Sequence, residues 1–139
     1  MNDAELTESY RRNINAERRV RVVLDVLREF RPPVITEETD LQELLRRHLS
    51  HSGLPFEKEK RLGPHERIDF MVIGVGIECK KEAPNATRLG RQVRRYCSHP
   101  EVDALIVVAP RRHHLPRMDL VDGKRVVLVS LNELWGVAI

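Results

Sequence analysis

Residues 67–81 constrain this chain more than any other stretch. Two short extended runs, 67–73 and 75–81, meet at Gly74 within Ile73-Gly74-Val75-Gly76. A glycine between two β-branched runs supplies a tight two-residue turn, so the runs should pair as an antiparallel hairpin. Once they pair, every side chain on one run acquires a fixed neighbour on the other.

The surrounding pattern places the hairpin in an α/β setting. Residues 4–30 lack Gly and Pro, and Val20, Val23, Leu24, Leu27 and Phe30 recur at helical spacing. Pro32 and Pro33 end this long helix, because proline removes a donor and disfavours α geometry in the residue before it. Residues 1–31 read as an arm preceding the core, a possible homodimerisation element. The remainder, 34–139, reads as one domain. A second helix over 36–50 carries Leu41, Leu44, Leu45 and Leu49 on one face, with Gly53 closing it. Residues 56–62 form a first extended segment ahead of the hairpin. Residues 85–98 read as a helix, with Asn85 and Thr87 as capping candidates. The aliphatic runs 104–109 and 125–129 suit strands covered on both faces. Only six aromatics occur in 139 residues, so the core must be built mainly from Val, Leu and Ile.

Charge is concentrated rather than spread. The 24 cations include five lysines, and seven arginines lie within 88–117 against Glu101 and Asp103. Arginine favours bidentate contact with phosphate, although a solvated arginine-rich surface would have the same composition. Cys79 and Cys97 are too few for a disulfide framework or a zinc knuckle. No stretch approaches the roughly 20 apolar residues of a membrane span, and the polar start is unlike a signal peptide. The expectation is a soluble cytoplasmic protein of a bacterium or a phage-infected host.

The chemistry-bearing residues fall on the hairpin. Asp69 is embedded in a run that otherwise reads as a buried strand, where a charge is costly unless paired or metal-bound. Alternation along 76–80 puts Glu78 and Lys80 on one face, and Ile77 and Cys79 on the other. Pairing can bring Asp69 beside Glu78. Two carboxylates that close repel unless a cation sits between them, which argues for a metal. Lys80 is then placed to orient or activate water, or to stabilise a charged phosphate in flight. The competing reading is an ion pair of Glu78 and Lys80, with Arg67 and Lys81 nearby, on a solvated face. His99, His113 and His114 read better as exposed loop residues than as a transition-metal site.

Taken with Glu38-Thr39-Asp40-Leu41-Gln42, Phe56-Glu57-Lys58-Glu59 and Gln92-Val93-Arg94-Arg95-Tyr96, the Asp-x(8)-Glu-x-Lys pattern resembles the PD-(D/E)xK, or restriction-endonuclease-like, nuclease superfamily. The likeness is to small stand-alone members with the RecB-type Gln-x(3)-Tyr motif, and it covers about residues 35–130. Ile68 stands where the family pattern has proline, which leaves the ligand Asp69 in place.

This resemblance implies a core of helix, three-strand meander, helix, strand and strand, with a mixed central sheet flanked by helices. It implies DNA as substrate and Mg2+ or Mn2+ as cofactor, held by Asp69, Glu78 and the Cys79 backbone carbonyl, with Lys80 acting on water. A helical glutamate often completes such sites. Glu38 borders the Leu41, Leu45 and Leu49 stripe and ranks ahead of Glu43, on the opposite side, and Glu37. The helix dipole alone would also favour acids in that first turn. Gln92 and Tyr96 share one helical face beside Arg88 and Arg95, and by resemblance face the site and the nucleic-acid backbone. The alternative reading has Tyr96 packing on the sheet with its hydroxyl satisfied. Arg111 and Arg112 read as phosphate contacts in a basic loop. The functional expectation is an endonuclease of DNA recombination, repair, restriction or phage DNA processing. The alternative is a non-catalytic nucleic-acid-binding or assembly subunit that keeps the fold.

Overall fold

A computed structural model of the chain describes residues 1–31, 38–80, 85–109 and 120–131. The N-terminal stretch forms two helices, α1 (Asp3–Asn13) and α2 (Ala16–Arg28). The expected single helix is broken because Ile14 is extended and the Asn15 side chain caps α2 by accepting from the Arg18 N–H. A polar residue that outcompetes the helix locally can end one helix and start the next without Gly or Pro.

The reading of these residues as an arm is also corrected for α2. Its stripe of Val20, Val23 and Leu27 is buried, together with Phe30, in the main hydrophobic cluster. An apolar face on this scale is buried against the chain's own sheet, not left for a second copy. By contrast, α1 buries no residue.

The rest of the order is α3 (Glu38–Ser52), β1 (Phe56–Gly63), β2 (Glu66–Val72), β3 (Val75–Cys79), α4 (Ala86–Cys97), β4 (Ala104–Ala109), β5 (Leu120–Val121) and β6 (Lys124–Ser130). The strands form one mixed sheet in the order β1-β2-β3-β4-β6-β5. The first three strands make an antiparallel meander, while β3, β4 and β6 run parallel. The α/β class and the element order therefore agree with the sequence reading. The short β5, paired antiparallel with the start of β6, was not expected.

The sheet divides the core in two. One side buries α2 and α3 through Leu27, Leu41, Leu45 and Leu49 against Phe70, Ile77 and Ile106. The other buries α4 through Leu89, Val93 and Tyr96 against Leu105 and Val107. The β2–β3 turn closes with the Val72–Val75 pair, and both central residues have positive φ: 47° at Ile73 and 84° at Gly74. Gly74 has a second reason to be glycine. A Cβ there would lie 2.5 Å from Arg19 Nη1 and 2.5 Å from Asp103 Oδ2.

Those two groups belong to a clasp that fixes the N-terminal helices to the sheet. Arg19, 4% exposed, donates to the Ile14 carbonyl at 2.8 Å, the Ile73 carbonyl at 2.7 Å and Asp103 Oδ2 at 2.8 Å. Arg11 grips the same carboxylate, with Nε 2.7 Å from Oδ2 and Nη2 2.9 Å from Oδ1. The two guanidiniums hold the Asp103 carboxyl below its usual range, although burial opposes them as the largest single effect.

Candidate active site at the open end of the hairpin

Backbone pairing between β2 and β3 runs from the turn as far as Phe70 and Ile77. One residue further on, side chains take over. The Cys79 N–H donates to Asp69 Oδ2 at 2.8 Å, and the Asp69 N–H donates to Glu78 Oε1 at 3.2 Å. The two carboxylates thus bind the backbone between the strands, bringing Asp69 and Glu78 together as the sequence suggested.

Helices on both sides hold this pair. From α3, Gln42 Nε2 donates to Asp69 Oδ1 at 3.2 Å. From α4, Gln92 Nε2 donates to Glu78 Oε2 at 2.8 Å and to the Tyr96 hydroxyl at 3.0 Å. The Tyr96 hydroxyl lies 2.9 Å from Glu78 Oε2 and 3.1 Å from the Arg67 carbonyl, so its single proton is shared between two acceptors. Tyr96 packs on the sheet and contacts the carboxylate as well. Lys80 Nζ stands 3.6 Å from Glu78 Oε2, and the Lys80 N–H donates to the Val108 carbonyl at 2.8 Å. The site therefore sits at the carboxyl end of parallel strands, where open α/β sheets present their ligand-binding edge.

Electrostatics favour an additional cation. Glu78 is 5% exposed, and burial, then the Asp69 charge, push its carboxyl up from 4.5 to about 8, with Lys80 pulling the other way. Burial and the neighbouring Glu78 charge likewise raise the Tyr96 phenol. Arg67, a rival partner in the ion-pair reading, points away, with Nη1 3.8 Å from Glu59 Oε2. The same-face contact of Glu78 with Lys80 does form.

Other candidates divide clearly. Glu43 is engaged by Arg46 and Arg47, which hold its carboxyl down to about 2, and Lys58 Nζ approaches at 3.8 Å. Glu38 opens α3 one turn before Gln42, but its side chain lies outside the described part of the structure, as does all of Glu37. Arg111 and Arg112 also lie outside the described residues. Arg88 lines a cleft with Lys80 and Gln92, whereas Arg95, at the same cleft, is held by Glu66 at 3.2 Å. His99 Nε2 meets the other oxygen of Glu66 at 2.5 Å. Sequence reasoning gave no role to Gln42. The available signal was its position four residues after Glu38, on the same helical face.

Among the described residues no group of three His, Cys, Asp or Glu side chains converges. The donor set is two carboxylates and a nearby backbone carbonyl, which suits a hard cation such as Mg2+ that keeps several waters and takes one or two protein carboxylates. Burial holds the Glu78 carboxyl up most, and the Asp69 charge next; a cation between the two acids would offset the second of these. Comparison with protein-family models, curated proteins and solved structures gave no match.

Proposed function

We propose that the chain is a divalent-metal-dependent nuclease hydrolysing DNA phosphodiester bonds, an endonuclease of DNA recombination, repair, restriction or phage DNA processing. The observation that carries this reading is the Asp69–Glu78 pair, bonded to backbone amides at the open end of the hairpin with the Lys80 ammonium 3.6 Å from Glu78. Mg2+ or Mn2+, held by Asp69, Glu78 and the Cys79 carbonyl, would supply Lewis-acid stabilisation of charge developing on the phosphate. Lys80 brings a fixed positive charge and three donors to orient water and offset that charge. Gln92 and Tyr96 fix the Glu78 carboxylate, and Gln42 fixes Asp69, so the ligands are pre-oriented.

The test is cleavage of plasmid, single-stranded and branched DNA with each metal. Asp69→Ala and Lys80→Ala should each abolish it, while undiminished cleavage in both removes this site from the account.

One observation favours a non-catalytic nucleic-acid-binding or assembly subunit instead. Every oxygen of the two carboxylates already accepts from a protein donor: Gln42, the Cys79 and Asp69 amides, and Gln92 with Tyr96. Such a pair could serve the sheet alone. DNA binding that weakens with salt, with no cleavage in either metal, would establish this second reading.

A further inference from the structure

The outer face of α4 carries a stripe that the hairpin site does not use. With about 100° per residue, Arg88 and Arg95 lie about 40° and 60° round the helix from Gln92, on the side away from Leu89 and Val93. Arg91 lies about 100° round on the same side. These arginines border a cleft of about 440 Å³ whose other lining includes Lys80, Asn85 and Gln92. All three are exposed, and among the described residues no acid lines the cleft. Arg95 is partly neutralised by Glu66, but neither Arg88 nor Arg91 forms an ion pair among the described residues.

Helix stability does not account for this arrangement. Arg88 stands in the first turn of α4, which has no acid, and cations at a helix amino end oppose the dipole. The Asn85 Oδ1 accepts from the Thr87 and Arg88 amides, and Gln92 Nε2 donates to Glu78 and Tyr96. The charge at the cleft is guanidinium and ammonium, which binds phosphate. Arg88 and Arg95 are about 10.5 Å apart along the helix axis, a span of about three phosphates on one strand of a duplex.

We propose that the α4 cleft grips the phosphodiester backbone of one nucleic-acid strand and leads that backbone past Gln92 to Lys80 and Glu78. The proposal rests on the nuclease reading for the identity of the polyanion, and it adds the cleft itself and Arg91 to that reading.

The experiment measures binding of labelled oligonucleotides of two unrelated sequences to the full chain in EDTA, as salt rises from about 50 to about 200 mM. Arg88→Ala and Arg91→Ala should each flatten the slope of log affinity against log salt by about one, equally for both sequences. Arg21→Ala removes the same charge from α2, which packs on the other face of the sheet, and should leave the slope nearly unchanged. The proposal is overturned if Arg21→Ala matches the other two, if Arg88→Ala and Arg91→Ala leave the slope alone, or if their loss falls on one sequence only. Metal-dependent cleavage, assayed separately, keeps the two readings apart. Slope loss without any cleavage sinks the nuclease and keeps the cleft, whereas Asp69-dependent cleavage with silent arginines does the reverse.

Discussion

Glu78 is the residue at which burial and charge pull hardest against ionisation. A carboxyl whose folded pKa lies above its unfolded one holds its proton more tightly when folded. Its contribution to stability is therefore greatest at low pH, declines as pH rises from about 4.5 towards about 8, and levels off above that. Thermal melts in chelator across this range should show wild type losing stability relative to Glu78→Gln, a variant with no such proton to lose. A pH-independent difference between the two proteins would contradict the shift. If the nuclease proposal holds, added Mg2+ should reverse the order at about pH 8, because a cation between the acids favours their charged forms. Gln42 acts at one remove by orienting Asp69. If the nuclease proposal holds, Gln42→Ala should raise the Mg2+ concentration needed for cleavage by about 10-fold, as loss of an outer hydrogen bond to a metal ligand commonly does. A rate loss that saturating Mg2+ cannot restore would place Gln42 elsewhere in the mechanism.

At the scale of elements, the hairpin is held at both ends, by the arginine clasp at its turn and by carboxylates at its mouth. Removing Asp103 leaves the buried Arg19 guanidinium with only carbonyl partners, so Asp103→Ala should cost about 3 kcal/mol in urea denaturation. A loss under about 1 kcal/mol would mean that the clasp matters little to stability. The sequence made the hairpin legible because Gly74 lies between alternating β-branched runs, and α3 and α4 legible because their apolar residues repeat at helical spacing. That Asp69, Glu78, Gln92 and Tyr96 come together was legible for the same reason: strand parity and helical period are local rules. The clasp was not legible. Arg11, Arg19, Gly74 and Asp103 are joined by contacts that span up to 92 positions, and no periodicity encodes such a meeting. Nor was the break at Ile14–Asn15, because an asparagine cap inside a helix-compatible run gives only a weak signal.

On the scale of the whole molecule, the site residues other than those of α3 lie within 69–96, yet part of the wall behind them is supplied by the first thirty residues. A shortened chain beginning at Val34 loses Val20, Val23, Leu27 and Phe30 from the main cluster and uncovers part of β3 and β4 beneath. It should lack a cooperative thermal transition and bind hydrophobic dye, since each lost side chain gives up about 1.5–3 kcal/mol of burial. A sharp melt near the full-length temperature would restore the separate arm. The clasp also bears on how the chain reaches this state. Arg11 and Arg19 are made 92 and 84 residues ahead of their shared partner Asp103. The clasp cannot close until that partner has been made, which gives the fold a late, long-range closing step.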